Sequence, residues 1–376
     1  MKIVIAPDKF KGSLTGFEFC DAVEMGLQTV LNDAEIVKAP LADGGDGTIE
    51  VVRHYLEAEK ATLEVNDPLC RPISASYLYS ETAKIAYIEM AEASGLKLLH
   101  DDKRDTMQAT SLGTGQLIAD ALDKGAQEII LGIGGSATTD GGMGMAAALG
   151  FRFLNAQGNE LQPIGENLIQ VQEIDSSQAH ARLKTTTVKV ACDVKNPLYG
   201  KKGAAFVYAA QKGATKENII TLDEGLKRFA RVIKNHYGID PQKIKGGGAA
   251  GGMGAGAHVF LGAELISGID LIKDLASFDT LIKGADWIIT GEGQLDSQTL
   301  SGKTIDGVIS SARKHKIPVA ALCGSVDISI KEQEALGLSY AVSITKGVVT
   351  LQNALKSSRD NLTFAAYNFA RLIQGL

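Results

Sequence analysis

Apolar runs alternate with helix-period segments along most of the chain, a pattern that predicts an α/β protein built on parallel sheet. Residues 3–6 form the first expected strand, followed by a loop and a helix over 15–31. A second strand is expected at 36–39, with a helix beginning over 48–56. Further on, 128–133 reads as a strand bounded by glycine, between a helix over 107–122 and another near 143–149. Toward the C-terminus the alternation returns, with strands at 287–290, 319–323 and 341–344. Helices near 304–315 and 331–336 separate them, and a terminal helix covers 351–373.

Two regions break this rhythm. Short alternating segments at 61–65, 74–79 and 84–89, punctuated by Asp67-Pro68-Leu69-Cys70-Arg71-Pro72, predict an antiparallel meander. Residues 151–245 mix strands at 151–154, 187–191 and 205–208 with a polar helix over 221–237. The stretch 246–256 holds seven glycines and three alanines and leads straight into His258-Val259-Phe260-Leu261. It suits either a helix packed very closely on a neighbour or backbone lining a phosphate, more than a flexible linker. The expected architecture is a doubly wound, mostly parallel sheet domain assembled from 1–60, 100–150 and 266–376. A mixed α/β domain of 61–99 and 151–265 is inserted into it, with the active site in the cleft between the two.

Length and composition agree with that picture. A chain of 376 residues exceeds what one core usually covers, and 45% hydrophobic with 22% charged residues is an ordinary globular profile. A net charge of −6 and a pI near 5.6 disfavour nucleic acid or an anionic membrane as partner. Cys20, Cys70, Cys192 and Cys323 are scattered, with no pair at metal-ligand spacing, as in a reduced intracellular protein. The N-terminus is too short in apolar residues before Pro7 for a signal peptide, and no apolar stretch approaches the ~20 residues of a membrane span. The expectation is a cytoplasmic protein acting on a small molecule.

Three loops place carboxylates among glycines directly after apolar runs. They are 39–48, containing Asp43-Gly44-Gly45-Asp46; 134–142, Gly134-Gly135-Ser136-Ala137-Thr138-Thr139-Asp140-Gly141-Gly142; and Gly291-Glu292-Gly293-Gln294-Leu295-Asp296. Glycine lets backbone N–H groups approach an anion, and carboxylates hold a cation such as Mg2+. Both together point to a metal–nucleotide complex and phosphoryl transfer. The loop Asp8-Lys9-Phe10-Lys11-Gly12-Ser13-Leu14-Thr15 adds lysines and hydroxyls ahead of a helix N-terminus, a ready anion site. Asp193 and Asp296 each follow an apolar strand, and either suits alignment of an acceptor hydroxyl, the other joining Glu292 or Asp43 at a metal. Helix capping competes for Asp140 and a local turn for Asp193, which Asn196-Pro197 follows.

Familiar phosphate signatures do not fit. Gly302-Lys303-Thr304 has the end of a P-loop, but the glycine required five residues before Gly302 is Ser297. The run 132–137 imitates a dinucleotide fingerprint, yet the ribose-binding acid expected about twenty residues later falls near Asn155. A nicotinamide-dependent hydroxy-acid dehydrogenase therefore stands as a weaker alternative, as does a non-catalytic solute-binding protein.

Together these segments resemble the glycerate kinase family, in the branch of bacterial glycerate 2-kinases. The matching stretches run in order through the chain: 6–14, 40–48, 134–142, Ala191-Cys192-Asp193-Val194-Lys195-Asn196-Pro197-Leu198, Gln211-Lys212-Gly213-Ala214, 248–252, 289–293, 296–299 and Gly302-Lys303. Lys9, where family members often carry Ser, and Lys195 depart from the pattern beside expected site residues. The resemblance implies ATP-dependent phosphorylation of glycerate with Mg2+, D-glycerate giving 2-phosphoglycerate. The residues themselves suggest Lys9, Asp193 and Asp296 as the catalytic residues, the resemblance leaving open which aspartate is the base. Asp8, Lys11, Ser13, Asp43 and Gly44 are expected to bind substrate, and Gly134, Gly135, Ser136, Thr138, Asp140, Gly291 and Glu292 the nucleotide. Asp43, Asp193 and Asp296 are the candidate metal ligands.

Overall fold

Ile3, Val4 and Ile5 have no exposed surface, so strand β1 (Lys2–Ile5) is covered on both faces, as a central strand of a parallel sheet must be. A computed structural model describes residues 1–44, 47–296 and 304–375 of the chain, which divides into two compact units. Met1–Tyr55 and Ser267–Leu376 form one, and Leu56–Ile266 the other. The expected features at Gly45, Asp46, 297–299 and Gly302-Lys303 lie outside the described residues. No described helix is long and apolar enough to cross a membrane.

The remaining strands, in chain order, begin with β2 (Glu35–Lys38), β3 (Glu59–Asn66), β4 (Pro72–Ser80), β5 (Ile85–Glu89) and β6 (Glu128–Gly132). Next come β7 (Arg152–Leu154), β8 (Glu173–Asp175), β9 (Thr187–Ala191) and β10 (Glu264–Ile266). The last five are β11 (Trp287–Thr290), β12 (Gln294–Leu295), β13 (Val319–Cys323), β14 (Ser325–Val326) and β15 (Tyr340–Ser343).

In the first unit the sheet order is β15-β13-β11-β1-β2, every pair parallel. Winding goes outward from β1 to β2 on one side and from β11 through β13 to β15 on the other. The direction therefore switches between β1 and β11, where open α/β sheets bind ligands beyond their carboxyl ends. Helix Gly16–Gln28 links β1 to β2 and starts at a complete capping box. Thr15 Oγ1 accepts from the Glu18 N–H, and Glu18 accepts from the Thr15 N–H at 2.8 Å. Its Gly26 permits contact with the terminal helix, since a Cβ there would lie 2.3 Å from the Thr363 carbonyl. The single terminal helix expected over 351–373 is two, Leu351–Lys356 and Ser358–Gln374, broken at Ser357.

The second unit holds a six-stranded sheet ordered β10-β9-β6-β5-β4-β3. β10, β9, β6 and β5 run parallel, while β4 and β3 add an antiparallel edge, the expected meander. One expectation is corrected here. Residues 100–150 do not join the first unit, because β6 pairs with β5 and β9. Ile129, Ile130 and Leu131 are buried and suit any parallel sheet, so nothing local told which sheet would take them. Residues 205–208 are also not a strand but part of helix Ala204–Tyr208, five residues being too short for periodicity to separate the two. The helix expected from 107 starts at Leu112, because the Asp105 carboxylate accepts from the Met107 N–H and holds a turn first.

The glycine-rich stretch is packed helix. Ala249–Leu261 is kinked where Ala250, Gly251 and Gly252 take left-handed φ values of 51°, 70° and 95°. A Cβ at Gly251 would lie 2.0 Å from the Thr138 carbonyl, and one at Gly256 2.4 Å from that of Gly141. These small residues let the helix press directly on the 138–142 backbone.

Candidate active site

Every strand of the first unit's five-stranded sheet delivers a loop to one cavity of about 820 Å³. Asp8, Lys9 and Lys11 come from the loop after β1, and Asp43 from the loop after β2. Glu292, Gln294 and Asp296 follow β11, Gly324 and Ser325 follow β13, and Ile344, Thr345 and Val349 follow β15. At the switch point the Asp8 N–H donates to the Gly291 carbonyl at 2.9 Å, fastening the first of these loops to the third. The Asp8 carboxylate accepts from its neighbour's Lys9 N–H at 2.7 Å and from the Thr304 hydroxyl at 2.6 Å. Burial pushes its pKa up, and the nearby Asp43 charge adds to the rise against the Thr304 hydrogen bond. Two carboxylates close enough to oppose each other's ionisation offer a cation an electrostatic reward. Among the described residues no three acidic, His or Cys side chains gather at metal-ligand spacing. Mg2+ does not require three, since it commonly takes one or two carboxylates with phosphate oxygens and water.

In the second unit the expected residues also stand at strand ends, Gly134 to Asp140 after β6 and Asp193 after β9. Gly134 and Gly135 are exposed, but the chain then turns inward. The Asp140 carboxylate is fully buried and accepts from the Ser111 N–H at 2.8 Å, the Ser111 hydroxyl at 2.6 Å, the Gly142 N–H at 3.2 Å and the Gly144 N–H at 3.0 Å. Lys212, only 2% exposed, donates to Ser136 Oγ at 2.8 Å and to the Thr138 carbonyl at 2.7 Å. Burial pulls its pKa down to about 7 despite the Asp140 charge. A neutral amine has two N–H bonds, and both find acceptors here. The hydroxyls of Thr138 and Thr139 are buried without a partner among the described residues.

Residues 3–374 match the family model described as the glycerate kinase family. The glycerate kinase of Bacillus cereus is 44% identical over 370 residues, 98% of this chain and 97% of that protein. The glycerate 2-kinase of Escherichia coli is 43% identical over 372 residues, with the same coverage. The crystal structure described as glycerate kinase 2 from Salmonella typhimurium LT2 superposes with a TM-score of 0.90 at 43% identity, covering 100% of this chain and 98% of that one. The chain belongs to the glycerate kinase family. It is an enzyme, and the dehydrogenase and solute-binding alternatives fall away.

Within this glycerate kinase fold, Asp8, Lys9, Lys11, Asp43, Glu292 and Asp296 share the first unit's cavity. Gly44 has a φ of 91°, and its Cβ position faces Gly268 Cα at 3.6 Å, so it serves the turn that presents Asp43. Four of the expected residues are engaged within the protein itself. Ser13 commits its hydroxyl hydrogen to the Leu355 carbonyl at 3.0 Å and has none to offer a carboxylate. Gly291 is buried, a Cβ there meeting the Leu322 carbonyl at 2.1 Å and the Phe19 ring at 2.7 Å, so it is a packing residue. Asp140 and Thr138 have no exposed surface.

Sequence reasoning missed the wall supplied by Thr345, Val349, Leu351, Ser358 and Asn361. The signal was available, because a fifth parallel strand at 341–344 must open at the same edge as the other four. Lys212 falls within the matching stretch 211–214, whose resemblance gives it no role of its own. A lone lysine amid Ala204–Ala214, rich in alanine and apolar residues, was the clue that it is buried.

Proposed function

We propose that this chain transfers the γ-phosphoryl group of ATP, with Mg2+, to the 2-hydroxyl of D-glycerate, giving 2-phosphoglycerate and ADP. The cavity carries this reading. Two lysines and four carboxylates stand on loops from a doubly wound sheet, in a chain similar over its length to a protein named glycerate 2-kinase. The bond from the γ-phosphorus to ADP breaks, a bond to the hydroxyl oxygen forms, and the hydroxyl proton is released. Lys9 and Lys11 supply positive charge for the glycerate carboxylate and the transferring phosphoryl group. Asp296 aligns the hydroxyl, with Asp193 at the end of β9 as the competing residue for that role. Asp43, beside Asp8, and Asp296 offer the hard oxygen donors that suit Mg2+, which when bound neutralises phosphate charge. Phosphoryl transfer through a loose transition state asks little of a strong base, so alignment and charge neutralisation by these residues dominate.

The test follows ADP release with D-glycerate, L-glycerate, tartronate and no acceptor, and identifies the product by phosphorus NMR. ADP release that depends on D-glycerate, with 2-phosphoglycerate as sole product, supports the reading. Folded protein without turnover on any acceptor overturns it, and 3-phosphoglycerate as product overturns the position of transfer. Asp193→Asn and Asp296→Asn variants that both keep near-normal kcat remove those two residues from the mechanism.

A further inference from the structure

The cavity changes character in the order of the strands beneath it. Charged residues stand after β1, β2 and β11, but the wall after β15 is uncharged and mostly apolar, with Ile344, Val349, Leu351, Ala354 and Leu355 beside Thr345 and Ser358. β1 and β15 are three strand spacings apart, about 14 Å, a distance suited to an extended nucleoside triphosphate. At the apolar end large side chains stand in water: Leu351 is 75% exposed and Val349 51%. Beside them Asn361 lines the same cavity at only 9% exposure. Its amide N–H donates to Ser357 Oγ at 3.2 Å, while its carbonyl oxygen has no partner among the described residues.

We propose that the adenine base of the nucleotide lies on the β15 side of this cavity, against Val349, Leu351 and Leu355, with the Asn361 carbonyl oxygen accepting from its exocyclic amino group. This rests on the kinase reading and locates one half of its nucleotide. Continuity with the charged end selects the occupant, because a ligand with a polyanionic tail and a flat apolar head matches both halves at once. Asn361 then sets base choice. Its N–H is held by Ser357, so the side chain presents an acceptor, and the 6-oxo group of guanine would meet it oxygen to oxygen.

Calorimetric binding of Mg-ATP, Mg-GTP and inorganic tripolyphosphate, beside steady-state kinetics, tests the assignment. Leu351→Asp and Val349→Asp are expected to weaken Mg-ATP binding about tenfold or more while tripolyphosphate binding and the KM for glycerate stay within about twofold. Leu372→Asp, at a site 60% exposed on the terminal helix, controls for an added surface charge and should change neither. Asn361→Ala should reduce the preference for ATP over GTP by about tenfold. Unchanged Mg-ATP affinity in both the Leu351 and Val349 variants overturns the subsite. So does a loss of self-association in those variants, seen by sedimentation with ATP binding intact, which would give the patch to a second copy of the chain. These binding arms need no turnover, so an absence of glycerate phosphorylation in the unaltered enzyme would refute the kinase reading separately.

Discussion

The loops after β1, β2 and β11 leave Asp8, Asp43 and Asp296 partly open on a cavity, whereas the loop after β6 turns Asp140 completely inward. All four aspartates follow an apolar strand and sit near glycine. The difference lies in what the surrounding donors hold. Around Asp140, the N–H groups of Ser111, Gly142 and Gly144 and the Ser111 hydroxyl all point at the protein's own carboxylate. A glycine turn that gathers N–H groups makes an anion site, and here the chain supplies the anion itself. Around Asp8 burial raises the pKa and the Asp43 charge adds to the rise, against hydrogen bonds from the Thr304 hydroxyl and the Lys9 N–H. One carboxylate is sealed among the protein's own donors, and the other lines a cavity with a second carboxylate for neighbour.

The sharpest way to break this comparison is to neutralise one aspartate from each region. Asp140→Ala leaves several buried donors unanswered and should cost about 3–5 kcal/mol of stability, read as a lowered midpoint in denaturant unfolding. Asp43→Asn should leave that midpoint within about 0.5 kcal/mol of the parent yet lower kcat by about 10²–10³-fold, as loss of one charge-stabilising contact does. The reverse pattern, a stable inactive Asp140→Ala and an unstable active Asp43→Asn, would overturn the division between the two regions.

Much of the frame was legible before the structure. Trp287–Thr290, Val319–Cys323 and Thr187–Ala191 are strands at the expected residues, because buried parallel strands are short, apolar and β-branched. The rule that ligands meet the carboxyl ends of such strands placed six expected side chains around one cavity. What the sequence left open was long-range. Nothing in Glu128–Gly132 says that it pairs with Ile85–Glu89 rather than with the first unit's strands, since both environments reward the same apolar run. Burial direction was equally hidden. Asp140 and Asp43 sit in similar local sequence, and only the close press of Gly251 and Gly256 on the 138–142 backbone shows that one of them is sealed. The wall at Val349 and Leu351 escaped because apolar residues ahead of a helix read as packing until the structure leaves them in water.

A smaller effect sharpens the same contrast through pH. Lys212 titrates near 7 in the folded chain and near ~10.4 when unfolded. Below about 7 both states carry the proton and this contribution is flat. Above it the unfolded chain still binds a proton that the folded chain has released, so stability rises with pH by about 1.4 kcal/mol per unit. That stability is fully present above the unfolded value and is lost as pH falls toward 7. The difference in unfolding free energy between the parent and Lys212→Met should therefore grow by about 1.4 kcal/mol from pH 8 to pH 9. A pH-independent difference would mean that Lys212 stays charged in its pocket, held there by the nearby Asp140 carboxylate.

The smallest expected effect falls at Ser13, where the two kinds of loop chemistry meet in one residue. It stands in the loop after β1, two residues from the cavity residue Lys11, but its hydroxyl donates to the Leu355 carbonyl. A carboxylate or phosphate accepts hydrogen bonds and cannot supply one, so Ser13 in this arrangement fixes the loop against the C-terminal segment rather than holding substrate. Ser13→Ala should cost about 0.5–1.5 kcal/mol in denaturant unfolding and leave the KM for glycerate within about twofold. A rise in that KM of tenfold or more at near-parental stability would show that Ser13 exchanges Leu355 for substrate, and would move it from the packed set to the binding set. The Leu355 carbonyl would then be the group left without a donor, a cost that substrate binding would have to offset.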